Sequence, residues 1–278
     1  MNFDIDDSDI DILIYEVLET SGYDFSNYSR ASFKRRVGRL LDLDKFKSLE
    51  HLRHVIKTDK KYLQRFVEEI TVNVTEMFRD PEFYNTLRNK ILPQLATKPF
   101  IRIWHAGCST GEEVYSMAIL LKEANILDKS LIYATDINPG VLLAAKKGIY
   151  PLKNMKLNSE NYIECCGKED FSSFYTAQYD RAIINDSLKK KIIFSTHNLV
   201  SDRSFNEFQI ILCRNVLIYF DKTLQNKVLK VFDQSLENLG FLALGSKETL
   251  RFSNIMENYI QIDNQKIWKK IYHQEEKK

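Results

Sequence analysis

From Arg102 onward the chain alternates short apolar runs with amphipathic ones, and this order constrains its fold more than any other feature. "IRIWHAG" is strand-like, and "EEVYSMAILLKEAN" carries apolar residues at helical spacing. "SLIYATDI" is a second strand, followed by "PGVLLAAKKGIY", a helix with Pro139 in its first turn. "FQIILCRNVLIYF" holds a buried strand, "KTLQNKVLKVFDQSLENLG" a helix ended by Gly240, and "FLALG" a further strand. "NYIQIDNQKIWKKIY" predicts a hairpin turning at Asp263-Asn264. Such alternation lays mainly parallel strands under helices on both faces, with the active edge at the strand C-termini. One stretch breaks the rhythm. Residues 151–193 are too long for a bare loop before "KKKIIFSTHNL". Within them "FYTAQYDRAIIND" alternates enough to predict short strands, hence an inserted β-subdomain.

Residues 8–70 read as helices instead. "DIDILIYEVLETSGYDF" has helical apolar spacing with Gly22 as C-cap, "SRASFKRRVGRLLDLD" is basic and amphipathic, and "KKYLQRFVEEITV" is a mixed-charge helix. The expected organisation is a helical domain over 1–72, a linker over 73–98 and an α/β domain over 99–278. At 278 residues, with 44% hydrophobic and 28% charged residues, the chain has the composition of a folded globular protein. Its formal charge of +2 hides an acidic start (Asp4, Asp6, Asp7, Asp9, Asp11) and a basic cluster (Arg30, Lys34, Arg35, Arg36, Arg39). No run has transmembrane length and no cleavable signal opens the chain, so the cytoplasm is expected. The four cysteines (Cys108, Cys165, Cys166, Cys213) lack zinc-site spacing, and no metal is expected.

The junction "RIWHAGCSTGEEVYS" carries the chemistry. Gly107 and Gly111 bracket the turn after the first strand, where glycine would let backbone N–H groups approach a ligand. The spacing is not G-x-G-x-x-G, and the helix opens with Glu112-Glu113, which would oppose a pyrophosphate. A ligand with amino and sulfonium cations suits those carboxylates better. Asp136 ends the next strand, 29 residues after Gly107, where such a sheet offers a carboxylate to ribose hydroxyls. Together they describe a site for a nucleoside without phosphates, of which S-adenosylmethionine is the commonest. A pair of capping glutamates and a capping aspartate before Pro139 would leave the same pattern.

"RIWHAGCSTGEEVYS" also resembles the first motif of the CheR family, the chemotaxis receptor glutamate methyltransferases. In the same order "TVNVTEMFRD" resembles the family's linker motif, and "ATDINPGVLLAAKKGIY" its ribose-binding segment. "FSTHNL" and "ILCRNVLIYFD" resemble its two later cofactor and substrate segments, and "GFLALGSKE" its late strand. The likeness covers almost the whole chain. It implies a Rossmann-like S-adenosylmethionine methyltransferase sheet, which is an α/β fold, with a small N-terminal helical domain and the inserted β-subdomain. The implied reaction carries a methyl group to glutamate carboxylates of methyl-accepting receptors and leaves S-adenosylhomocysteine. Val114 stands where the family usually has Pro, and His105 where it often has a small residue.

Carried over from the family, Glu113 meets the cofactor's methionine part, and Asp136 its ribose, beside Gly107. Asn198 and Leu199 border the adenine, while Asn73, Thr75 and Arg79 fold over from the linker. Arg214 and Asn215 line the methionine or substrate side, and Arg79 and Tyr219 are the catalytic candidates. A structural ion pair is the plainer reading of Arg214, since a guanidinium after an apolar strand needs a carboxylate partner. His105 and His197 flank the site, but neither is required as a base, because a glutamate with a pKa near 4.3 is ionised at neutral pH. Arg35, Arg36 and Arg39 are expected to dock an acidic receptor helix, with Arg36 and Arg39 on one face. Where the family's pentapeptide-binding members carry a Gly-rich loop, the corresponding stretch here, "FYTAQYDRAIIND", has no glycine, which favours docking on the substrate helix directly. A monomer that neither binds nucleic acid nor enters the membrane is expected. Two other functions fit parts of the pattern. One is a methyltransferase acting on nucleic acid or a small molecule, disfavoured by "CRNVLIY" after the fourth strand. The other is an S-adenosylmethionine-binding signalling module without activity, disfavoured by Arg79, Arg214 and Tyr219.

Overall fold

The computed structural model describes residues 5–71 and 75–271, which fall into two compact units. The first comprises residues 1–73 and 218–227, and the second residues 74–217 and 228–278. The N-terminal part of the first unit has, among the described residues, four helices: α1 (Asp7–Ser21), α2 (Arg30–Leu43), α3 (Leu49–Thr58) and α4 (Lys60–Ile70). Three of the boundaries have a clear local cause. Gly22 ends α1 in a left-handed conformation (φ 76°), Ser48 caps α3, and the Asp59 carboxylate accepts from two N–H groups opening α4. Their apolar faces meet around Leu13, Val17, Phe33, Val37, Leu52 and Phe66, all buried.

The second unit opens with α5 (Pro81–Thr86), which runs through a π turn into α6 (Leu92–Leu95). Then follow β1 (Ile101–Ala106), α7 (Glu112–Glu123), β2 (Ser130–Asp136) and α8 (Pro139–Lys147). The insert comprises β3 (Ile149–Pro151), α9 (Met155–Glu164), β4 (Tyr175–Gln178), β5 (Arg181–Ile184) and α10 (Asp186–Lys189). The chain closes with β6 (Ile192–Thr196), β7 (Phe208–Cys213), α11 (Lys222–Ser235), β8 (Leu236–Leu244), β9 (Tyr259–Gln261) and β10 (Ile267–Lys270). The main sheet runs β6-β2-β1-β7-β8-β10-β9, parallel from β6 to β8, with β10 antiparallel to both of its neighbours. Thus the expected alternation, its parallel sheet and the closing hairpin are all present.

Two expectations change. The helix after β7 ends at Ser235, not Gly240, because Leu236 already pairs with Phe208 and a bulge carries β8 on to Phe241. The insert is also more than strands. Its three-stranded antiparallel sheet, β3-β5-β4, begins at Ile149 and is joined by α9, while Ile192 already belongs to the main sheet. Chain direction sets where a ligand can bind. From β1 the chain moves through β2 to β6 on one side, then returns to β7 and β8 on the other. That reversal opens a crevice beyond the C-terminal ends of β1 and β7.

Candidate active site

Four strand ends meet that crevice. Gly107 follows β1, Asp136 ends β2, His197 follows β6 and Arg214 follows β7. Gly107 (φ 77°) and Gly111 (φ 92°) are both left-handed. A Cβ at Gly107 would lie 2.5 Å from Val216 Cγ2, and one at Gly111 2.9 Å from Ala145 Cβ. The turn spends its donors internally. Gly107 and Cys108 N–H donate to the Thr135 carbonyl (2.8 and 2.9 Å), Ser109 N–H to Asp136 Oδ2 (2.9 Å), and Gly111 N–H to the Cys108 carbonyl (3.1 Å). The expectation that these N–H groups face a ligand is therefore corrected. Backbone conformation and close packing are what demand glycine here.

The turn presents acid instead. The buried Cys108 thiol is pushed well up, first by burial and then by the charges of Asp136, Glu113 and Glu112, so three carboxylates converge on it. Glu112 has only the Thr110 hydroxyl as a side-chain partner (2.7 Å), and burial pushes its carboxyl up to about 7. Glu113 fares differently. Burial pushes it up, but the His105 hydrogen bond and the Arg214 charge outweigh that and hold it below the usual carboxylate range.

Glu113 is one link in a chain of four side chains. His105 Nδ1 lies 2.8 Å from Glu113 Oε1, and Arg214 Nη1 donates to Glu113 Oε2 (3.1 Å). Arg214 Nη2 donates to Asp80 (2.6 Å) and to the Arg79 main-chain carbonyl (3.0 Å), while its guanidinium covers the Phe83 ring at 4.0 Å. The structural ion pair read for Arg214 exists, and it fixes the backbone of Arg79. Asp80 sits at the start of α5 with φ 60°, yet caps nothing with its side chain, because its carboxylate serves Arg214. The segment is seated from two further sides. Phe78 N–H donates to Ser116 Oγ (2.9 Å), and Met77 is held by Asn158 and Asn161 of α9. Among the described residues the Arg79 guanidinium makes no hydrogen bond or ion pair.

Asp136 supplies the test of fit to a nucleoside. Its two carboxylate oxygens accept from Ser109 and Asn138 N–H (2.9 and 3.0 Å), and its main-chain carbonyl accepts from His197 N–H (3.1 Å). Each of those three neighbours has a buried polar atom without a partner: Ser109 Oγ, Asn138 Nδ2 and His197 Nδ1. Buried polar groups need partners, and hydroxyl-bearing, nitrogen-rich groups fit both these atoms and the acidic turn. Asn198 accepts from Val200 N–H (2.9 Å), and Leu199 is buried beside it. Asn215 is left-handed (φ 61°), and its N–H donates to the buried Glu248 carboxylate (3.0 Å). Thr75 is half-buried, and Asn73 lies outside the described residues. Tyr219, Arg35, Arg36 and Arg39 belong to the first unit.

Sequence reasoning passed over Asp80, Ser109 and Asn138, and left His105 and His197 as bystanders. Asp80 had a signal in "MFRDP", but an aspartate before proline at a helix start reads first as a cap.

A doubly wound sheet with a glycine turn ringed by carboxylates and an acid ending the next strand defines a Rossmann-like methyltransferase. Residues 73–266 match the CheR methyltransferase SAM-binding domain, and residues 8–71 the CheR methyltransferase all-alpha domain. The chain belongs to the CheR methyltransferase family. It is 45% identical over 253 residues to a putative methyltransferase, Cher3, of Pseudomonas putida, covering 91% of this chain and 93% of that protein. It is 32% identical over 271 residues to a chemotaxis protein methyltransferase of Borreliella burgdorferi, covering 92% and 93%. Chemotaxis protein methyltransferase 1 of Vibrio cholerae is 34% identical over 227 residues, covering 78% and 80%. Among the described residues no side-chain cluster could hold a metal ion, and no helix is long and apolar enough to cross a membrane.

Proposed function

We propose that the chain esterifies glutamate side chains of methyl-accepting chemotaxis receptors, with S-adenosylmethionine as methyl donor. The observation that carries this reading is the chain from His105 through Glu113 and Arg214 to the Arg79 carbonyl, which ties the acidic turn to an arginine whose guanidinium makes no hydrogen bond or ion pair among the described residues. The cofactor supplies an electrophilic methyl group on a sulfonium. Asp136 holds the ribose hydroxyls, Glu113 and the acidic turn face the methionine part, and Asn198 and Leu199 border the adenine. Arg79 orients the incoming carboxylate through a paired hydrogen bond, loose enough to leave it nucleophilic. No base is needed, since a glutamate carboxylate is already ionised at neutral pH. Placing the reacting atoms in line and excluding water from a reaction that annihilates charge supply the rate. Tyr219 completes the catalytic set by family resemblance. In the insert, β4 and β5 are joined through Tyr179 (φ 54°) and Asp180 without a glycine, which favours docking on the receptor helix itself. The protein works in the cytoplasm as a monomer.

The reading is tested with methyl-labelled S-adenosylmethionine and a purified chemoreceptor cytoplasmic fragment. Label should enter the fragment, leave as methanol in mild base, and be absent when its methylation-helix glutamates are alanine. Label retained on the glutamate-free fragment would show another substrate, and cofactor binding without transfer would show a silent module. Asp136→Ala should weaken cofactor binding by about 1.5–3 kcal/mol, read by calorimetry. An unchanged affinity in the folded variant removes Asp136 from the site.

A further inference from the structure

Three arginines of α2 look equivalent in sequence, but the structure separates them. Arg35 and Arg39 are exposed and make no ion pair among the described residues. Arg36 is half-buried, its guanidinium carbon 5.1 Å from the centroid of the Tyr219 ring. Its Nη1 donates to the Glu69 carbonyl of α4 (3.4 Å) and its Nε to Ser32 Oγ (3.5 Å), so the head group is held from two helices. Desolvation, the largest influence, lowers its pKa, and the Tyr219 phenol only partly offsets this.

Tyr219 is fastened on its main chain as well. Its carbonyl accepts from Ser29 N–H (2.8 Å) at the start of α2. One residue on, Phe220 forms an antiparallel bridge with Tyr28, their rings edge to face at 5.2 Å. Asp221 N–H then donates to the Asn27 carbonyl (2.9 Å). Residues 27–29 thus clamp the backbone of 219–221 like a short strand, which leaves the Tyr219 ring its own torsions. The Arg36 guanidinium over the ring restricts those, and its rigid fork, held at Glu69 and Ser32, is one a lysine ammonium does not reproduce.

We infer that Arg36 is a positioning residue for Tyr219, holding the phenol ring in its working orientation, and that Arg35 and Arg39 alone supply the charge that meets an acidic receptor helix. The inference rests on the catalytic reading of Tyr219 given above. It corrects the pairing of Arg36 with Arg39 as one docking face.

A double-mutant cycle tests it, with kcat and KM measured on the chemoreceptor fragment at saturating cofactor. Arg36→Ala should lower kcat about fivefold to thirtyfold, the range of a desolvated cation–aromatic contact, and barely move receptor KM. Arg36→Lys should recover only part of that loss. Arg35→Ala with Arg39→Ala should raise receptor KM and spare kcat. In a Tyr219→Ala background, Arg36→Ala should cost nothing further in kcat. Equal losses with and without Tyr219 overturn the coupling. Wild-type kcat in Tyr219→Ala instead removes Tyr219 from the chemistry, and this inference with it. A second readout needs neither cofactor nor turnover. With fluorotyrosine at position 219, the fluorine resonance should shift in Arg36→Ala and stay in place in Arg39→Ala. An unmoved resonance in Arg36→Ala means the ring is held without the arginine and sinks the proposal.

Discussion

Each unit of this molecule buries a glutamate against cations, and the two arrangements differ in kind. In the helical unit Glu16 accepts from Arg53 (2.7 Å) and Lys57 (2.8 Å). Its own side chain is 9% exposed, but Arg53 is 22% and Lys57 50% exposed, so water and salt reach the cations. In the sheet unit Glu113 faces Arg214, whose side chain is only 2% exposed and which also neutralises Asp80. Both glutamates are held below the ordinary carboxylate range, Glu16 by the Arg53 hydrogen bond first, Glu113 against strong desolvation by His105 and Arg214. The first is a solvated clamp between α1 and α3. The second is a knot around a buried arginine, with Asp80 at its rim 40% exposed, and losing Arg214 strands the Glu113 charge.

The knot should give the largest effect. Arg214→Ala leaves Glu113 with His105 alone and should destabilise the sheet unit by about 3–5 kcal/mol. Both tryptophans, Trp104 and Trp268, lie in strands of that unit, so urea unfolding followed by their fluorescence reads it out. A loss below about 1 kcal/mol would put the knot on a level with a surface pair.

Glu112, next to Glu113 but without a cation, gives the second effect. Its folded pKa of about 7 exceeds the ordinary 4.5, so the native state keeps a proton that the unfolded chain releases. Its contribution is therefore complete below pH 4.5 and is lost as the pH rises through 7, at up to about 1.4 kcal/mol per pH unit. Glu112→Gln should flatten that decline in stability between pH 4.5 and 7. Equal slopes for both proteins would mean that burial does not perturb Glu112.

The clamp comes third. Glu16→Ala should cost about 1 kcal/mol after screening, seen as faster hydrogen exchange in α1 and α3. The cost should shrink in about 1 M salt, where the screening length is near 3 Å, while the Arg214→Ala deficit should persist. Lys57→Ala is the smallest, within about 0.5 kcal/mol. A salt-insensitive Glu16 effect would erase the distinction between the two regions.

Much of this was legible along the chain, because the cues were local. An apolar run, a left-handed glycine and a 3.6-residue period were enough for β1, its turn and α7, and for Asp136 at the end of β2. Partners distant in sequence were not legible. Arg214 announced its need of a carboxylate, but nothing in the sequence points to Asp80, 134 positions away. Arg36 read as a surface charge because Tyr219 reaches it only once residues 27–29 and 219–221 have paired. The helix α9 was missed because its buried side, Met155, Asn158 and Tyr162, is half polar. That polarity has a structural use, since Asn158 receives the Met77 N–H and so seats the segment that carries Arg79. The end of α11 was misplaced because Leu236 and Leu239 continue its apolar rhythm into a bulged strand.

The helical unit is discontinuous in sequence: it includes residues 218–227, supplied after β7. Ribosomal synthesis at about 5–20 residues per second therefore delivers four helices well before the piece that completes their unit. Until Phe220 emerges, Tyr28 lacks its bridge partner and Ser29 N–H its acceptor, the Tyr219 carbonyl. A fragment cut after α4 would carry that unfinished edge permanently. The N-terminal helices are thus not a separable module for grafting onto another enzyme, and any transplant must bring the 218–227 segment with it.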